Sequence, residues 1–196
     1  MLLVVDNGSI YTKQLTDFLT RKNILFEKQS PQSLRLDSLS NYDSFILSGR
    51  RKNEKKVNEI NSKTIRYCIK NNNKLLGICY GAEILALTLG GTIRKIPSLQ
   101  KGIESIQIIK ENSICDNTIN VFESHSYEIS KLPSVLISLA KSNNCKNEII
   151  QYDDRAIFGT QFHPEMSPDG NDIIEKFCSL WLILITLKIT SFYGRR

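Results

Sequence analysis

Histidine is scarce in this chain. Only His125 and His163 occur in 196 residues, so chemistry that needs an imidazole is confined to two positions. Paired cysteines are missing as well. The five present, Cys68, Cys79, Cys115, Cys145 and Cys178, are odd in number, widely spaced and form no C-x-x-C pair. This excludes a disulfide scaffold and a zinc site, and implies free thiols in a reducing compartment, the cytoplasm. No leader is expected, because Asp6 interrupts the opening apolar run Leu2 to Val5. No apolar run reaches the roughly 20 residues that a bilayer demands. The longest, Phe177 to Ile189 around Trp181 to Ile185, is either a helix packed into the core or a patch that docks a partner protein. The net charge of +6 is not gathered into a stripe. Its densest stretch, Arg50 to Lys56, reads as a solvated loop rather than a nucleic-acid surface.

What is present is a globular composition, 41% hydrophobic and 23% charged. A chain of this length is expected to form one domain, residues 1–196 with an apolar C-terminal extension over 177–196. It would bury roughly 70% of its unfolded surface. Leu2 to Val5 reads as a buried strand ending in the turn cluster Asp6-Asn7-Gly8-Ser9. Helical spacing of Ile10, Tyr11, Leu15, Phe18 and Leu19 predicts a helix from Ile10 to Arg21 with Ser9 as its N-cap. Ile24 to Phe26 and Ser44 to Leu47 read as strands. Val57 to Asn71 reads as a helix turning Ile60, Ile65 and Cys68 inward. Lys74 to Ile78 is another strand, and the helix after Cys79 ends at Gly90-Gly91. Four strand–helix steps in succession predict a parallel sheet with helices on both faces. The second half differs. Thr92 to Ile96, Ser105 to Ile109, Asn120 to Phe122, Val135 to Ala140, Glu148 to Tyr152 and Ala156 to Phe162 are strand-like without long helices between them. They suggest a mixed or antiparallel extension of the sheet, closed by a turn at His163 and a helix from Asp169. There is no internal repeat and no low-complexity linker.

The chemistry concentrates at Gly77-Ile78-Cys79-Tyr80-Gly81. Cys79 falls where a strand gives way to a helix, and a sharp turn there lifts the side chain above the sheet edge. The flanking glycines are expected to supply both the unusual backbone angles and the close approach. The helix N-terminus is expected to favour thiolate. A catalytic thiol needs a base, and His163 follows a strand that ends at the same edge. Glu165, two residues on, can orient the imidazole as the acid of a triad does.

Gly77-Ile78-Cys79-Tyr80-Gly81 together with Gln161-Phe162-His163-Pro164-Glu165 resembles the class I, triad-type glutamine amidotransferase family. The resemblance runs from the first strand to about residue 178 and implies a three-layer flavodoxin-like sandwich. It further implies that Cys79 attacks the side-chain amide of glutamine, His163 shuttles the proton and Glu165 orients His163. Ammonia then passes to a synthetase. Within the family, Asp6 to Thr12 and Val121 to His125 are most similar to the glutaminases that serve GMP synthesis from XMP. Ser124-His125-Ser126-Tyr127 stands between that pattern and the glutaminases of anthranilate and aminodeoxychorismate synthases, which stay open as alternatives. So do a weakly active regulatory member and a γ-glutamyl hydrolase. The resemblance implies that the partner is a separate ATP-pyrophosphatase synthetase, which carries the ATP and magnesium. It implies no cofactor or metal in this chain, and neither nucleic acid nor membrane as partner.

The remaining site residues also come from the resemblance. The oxyanion would be held by the backbone at Tyr80 and at Gly49 and Arg50. Glutamine would contact Glu83 and the segment Ser124, His125 and Ser126, with His125 lining the pocket rather than doing chemistry. Two positions depart from the family pattern. Ser48-Gly49-Arg50-Arg51 lacks the second glycine and the proline, so Arg50 is expected to take a glycine-like backbone shape if its amide serves. Glu83 replaces a usual glutamine, and as a carboxylate it would accept hydrogen bonds without donating. The loop Arg50 to Lys56 and the tail near Trp181 are the expected partner contacts.

Overall fold

The computed structural model describes the backbone of residues 1–193 and the side chains of residues 1–180. Elements follow in the order β1 (Leu2–Val5), α1 (Thr12–Arg21), β2 (Phe26–Gln29), β3 (Ser44–Leu47), α2 (Lys55–Asn71), β4 (Lys74–Ile78), α3 (Tyr80–Thr88), β5 (Thr92–Ile108), β6 (Ile119–Lys131), β7 (Leu136–Lys141), β8 (Ile149–Tyr152), β9 (Ile157–Thr160) and α4 (Pro168–Tyr193). One sheet joins all the strands in the order β2-β1-β3-β4-β9-β8-β7-β5-β6. The first five are mutually parallel and the remaining pairings are antiparallel. The α/β reading with an antiparallel second half therefore holds, and the parallel strands follow the flavodoxin-like order.

Alternation along the strands builds two cores. Leu2, Val4, Ile46, Leu76 and Ile78 face one way, onto Leu15, Phe18 and Leu19 of α1 and Ile173, Ile174 and Phe177 of α4. Leu3, Val5, Phe45, Leu47 and Leu75 face the other way, onto Val57, Ile65 and Cys68 of α2 and Ala82, Leu85 and Ala86 of α3. Each fully buried Leu, Ile or Phe contributes about 1.5–3 kcal/mol. Both faces hold the sheet rigid beneath its C-terminal edge. That edge is where β4 ends at Cys79 and β9 ends just before His163.

Several boundaries differ from the sequence expectation. α1 starts at Thr12, not Ile10, because the Ser9 hydroxyl accepts the Tyr11 N–H at 3.1 Å and turns the chain before the helix begins. Ser9 is therefore not the N-cap, and Ile10 is 57% exposed instead of packed. β2 lies at Phe26–Gln29 rather than 24–26, an edge strand whose polar residues pair with β1. The expected short strands 92–96, 105–109 and 120–122 are two long ones forming a single hairpin, β5–β6. Pro97, which cannot donate to a ladder, sits where the register jumps between Lys95 and Gln100. Ser124 to Ser126 thus lie on a strand and not in a loop. Phe177 and Leu180 are buried. The side chains of Trp181 to Ile189 lie outside the described residues, as does the expected partner contact there. Among the described residues, no helix is long and apolar enough to cross a membrane.

Candidate active site

The turn from β4 to α3 puts its strain on one residue. Cys79 has φ +49 and ψ −101, which non-glycine residues rarely adopt. The flanking glycines do not share that strain, contrary to the sequence expectation; they provide room. A Cβ on Gly77 would stand 2.4 Å from the carbonyl of Gly81, and one on Gly81 would stand 2.3 Å from the Leu47 carbonyl oxygen. The Cys79 N–H donates to the Thr160 carbonyl at 2.7 Å, tying the elbow to β9. Tyr80 opens α3, so its N–H is one of the first-turn amides that a helix leaves without an acceptor of its own.

His163 reaches the elbow from the end of β9. Its N–H donates to the Phe122 carbonyl at 2.8 Å, which fixes the backbone against β6. Its Nδ1 lies 2.8 Å from Oε1 of Glu165, both side chains almost fully buried. Pro164 starts the short 3-10 turn that brings this carboxylate back beneath the ring. That leaves Nε2 free of the carboxylate, and the Cys79 thiol and His163 influence each other's charge. Two further residues hold the ring. Tyr11 packs edge-on at 4.6 Å between centroids, and its hydroxyl donates to Ser124 Oγ at 3.2 Å. Gly49 lies so close that a Cβ there would stand 2.8 Å from His163 Cε1.

Electrostatics set the resting proton positions. Burial pushes the Cys79 thiol up, and His163 only partly offsets it. Burial therefore opposes the thiolate that the helix N-terminus is expected to favour. Burial also works against a charged His163, but the Glu165 carboxylate and the hydrogen bonds to Cys79 and Glu165 outweigh it, so the imidazole is held well above its ordinary value. An arrangement of this kind can move a proton from sulfur to nitrogen and stabilise the imidazolium that results.

A cleft of about 280 Å³ opens over Cys79, lined among others by Arg50, Tyr80, Glu83, Ser124, His125 and Ser126. The cleft is thus lined by every site residue expected from the sequence except Gly49, His163 and Glu165, which meet at the Cys79 elbow instead. Arg50 stacks 4.1 Å over the Tyr80 ring and donates to Asn53 and Asn58, while the Tyr80 hydroxyl donates to Asn58 at 2.7 Å. Its backbone is not in the glycine-like region, because an antiparallel bridge to Gly8 holds it. Burial raises Glu83, against the charge of Arg50. The shift favours the neutral carboxyl, which can donate as well as accept, over the carboxylate. His125 is buried with Nδ1 2.7 Å from the Tyr127 carbonyl. Tyr11 and Asn58 are not among the site residues expected from the sequence. Only Tyr11, an apolar-patterned residue beside a turn cluster, carried any signal.

The "Glutamine amidotransferase class-I" family profile matches residues 3–180. The A subunit of the glutamine-hydrolyzing GMP synthase of Methanocaldococcus jannaschii is 31% identical, covering 92% of this chain and 97% of that protein. The protein of the same name from Pyrococcus furiosus is 29% identical, covering 92% and 98%. A solved Thermoplasma acidophilum structure, described as the A subunit of a GMP synthase, superposes with a TM-score of 0.83 at 26% identity, covering 95% of this chain and 96% of that one. A Thermotoga maritima glutamine amidotransferase shares the fold, with a TM-score of 0.73 at 19% identity, covering 95% and 84%.

Proposed function

The chain belongs to the class-I glutamine amidotransferase family, and from that premise we propose that it is the glutaminase component of a two-chain GMP synthase. The observation that carries the mechanism is the Glu165–His163 pair at 2.8 Å beside the strained Cys79 elbow. In this reading Cys79 Sγ attacks the γ-carboxamide carbon of glutamine while His163 takes the thiol proton and Glu165 holds the imidazolium. The oxyanion forms against the Tyr80 N–H and the backbone at Gly49 and Arg50, where each donor is worth about 10²–10³ in rate. His163 returns the proton to the leaving nitrogen, so ammonia departs and a γ-glutamyl thioester remains. Water, deprotonated by His163, then releases glutamate and restores the thiol. Glu83, Ser124, His125 and Ser126 hold the amino-acid end of the substrate. The chain supplies no cofactor; ATP and magnesium belong to a separate ATP-pyrophosphatase synthetase that aminates XMP.

The test is glutamate release by the purified chain, alone and with that synthetase, for the wild type and Cys79→Ala. Release that depends on Cys79 in at least one condition is expected, with GMP formed from XMP, ATP and glutamine by the pair. Absence of Cys79-dependent release in both sinks the glutaminase assignment. Release without GMP formation keeps it and moves the acceptor elsewhere.

A further inference from the structure

Two cavities of this protein meet at one buried ion pair. The first is the cleft over Cys79, walled in part by His125. The second, about 300 Å³, is lined by Ser98 to Glu104 of β5, by Asn144 and by Glu123. Leu99 borders both. Glu123 and His125 alternate onto the same inward face of β6, with His125 Nε2 3.0 Å from Glu123 Oε2. This is a charge contact whose angle does not complete a hydrogen bond.

Glu123 is only 1% exposed, yet neither carboxylate oxygen has a hydrogen-bond donor among the described residues. Its partner across the ladder is Gly102, at φ +130, with nothing within 4 Å of where a Cβ would stand. The absent side chain leaves room in the second cavity, which Gly102 and Glu123 both line. Glu148, from the connection between β7 and β8, is equally buried, equally without a hydrogen-bond donor and coupled to Glu123, and Glu104 adds a further acidic group from the cavity wall. Buried carboxylates whose oxygens lack hydrogen-bond donors cost free energy, so the cluster favours a cation that reaches it. Among the described residues no group of His, Cys, Asp and Glu has the arrangement of a metal site. The unmet need is for N–H donors, which a compact ammonium supplies in several directions at once.

We propose that Glu123, with Glu148 and Glu104 around it, forms a second site that takes ammonium. Ammonia released at Cys79 would pass His125 into this site and leave toward the β5–β6 hairpin. The transit role rests on the glutaminase reading above; the cation site does not. Burial and the neighbouring Glu123 push Glu148 up to about 9, so the carboxyl pair retains a proton near neutrality. Arriving ammonia takes that proton, becoming ammonium between the two carboxylates, and returns it on leaving. No other bond is made or broken.

The experiment compares thermal unfolding of the whole chain in ammonium chloride and in sodium chloride at matched, rising concentrations. A ligand that binds only the folded state raises the midpoint with its concentration. Ammonium and methylammonium are expected to raise Tm beyond sodium, tetramethylammonium is not, and Glu123→Gln should abolish the difference. Equal responses of the wild type to ammonium and sodium overturn the site. Because the size series uses the wild type, the decision stands even if Glu123→Gln fails to fold. In the complex with the synthetase, Glu123→Gln should lower the product formed per glutamate released severalfold, and an unchanged ratio overturns the transit role. Loss of Cys79-dependent release would sink the glutaminase reading and leave the unfolding comparison intact.

Discussion

This protein contains two buried histidine–glutamate pairs, each two residues apart in sequence, and only one is built for catalysis. His163 lies 2.8 Å from Glu165 and His125 lies 3.0 Å from Glu123. Both imidazoles are raised above their ordinary value despite burial, which opposes the charge in each case. The pairs differ in what the other ring nitrogen meets. In His163 the carboxylate takes Nδ1 and leaves Nε2 free of it, and the ring and the Cys79 thiol influence each other's charge. In His125 the carboxylate faces Nε2, and Nδ1 is spent on the Tyr127 carbonyl. A histidine whose one nitrogen is hydrogen-bonded and whose other faces a fixed carboxylate can hold a charge but has no nucleophile beside it to relay a proton for. The contact to a carboxylate is thus common to both; the unoccupied nitrogen beside a nucleophile makes the difference.

The sharpest way to break this comparison is to remove each ring in turn. His163→Asn should lower kcat for glutamate release by about 10²–10⁴, the usual worth of a positioned acid–base group. His125→Asn should act mainly on KM, as a binding residue does. Comparable kcat losses in both would mean that His125 also relays protons. Glu165→Gln is next in size, with kcat expected to fall by about 10²-fold or more, as removal of the orienting acid does in other triads. It carries a second signature with a definite sign. The Glu165 charge favours protonated His163, so its removal lowers the His163 pKa and moves the acid limb of kcat/KM to lower pH. An acid limb that stays in place would show that Glu165 does not control the imidazole.

Gly49→Ala probes the room around the catalytic ring. The new Cβ would stand 2.8 Å from His163 Cε1, with Ser9 Oγ at 3.3 Å behind it. Displacing the imidazole by a fraction of an ångström should lower kcat by about tenfold to 10²-fold while the fold persists. Circular dichroism and Tm near those of the wild type, with reduced kcat, are the expected result. An unaltered kcat would show that the ring can shift without loss.

The catalytic pair was legible in the sequence because its chemistry is local. A thiol between close-set glycines at a strand-to-helix change, and a histidine with a carboxylate two residues on, are patterns that backbone geometry converts directly into a site. The parallel half of the sheet was legible for the same reason, since buried strands read as apolar runs. The acidic cluster was not. Glu123, Glu148 and Glu104 are far apart in sequence and come together only through the β5–β6 hairpin and the β7–β8 connection. Charged residues at strand positions look like a solvated face until the partner strand supplies Gly102. Arg50 was misjudged by the converse route, because a glycine-like shape was inferred from a missing motif while the bridge to Gly8 lay outside local view.

The smallest expected effect concerns stability and comes from the carboxyl beside the non-catalytic pair. Glu148 rises from an ordinary 4.5 to about 9, through burial first and the Glu123 charge second. A carboxyl raised on folding stabilises the protein below its unfolded pKa, and that stability is lost as pH climbs through the folded value. The window is therefore pH 4.5 to 9. Glu148→Gln keeps the shape and removes the titration, so its Tm should fall less than that of the wild type between neutral and alkaline pH. A difference of 1–2 kcal/mol corresponds to roughly 2–8 °C for a domain of this size. His163 and Cys79 titrate in both proteins and cancel in the comparison. Parallel Tm profiles would show that Glu148 is ionised in the folded protein at little cost. The two pairs would then differ in chemistry alone and not in the charge they are forced to carry.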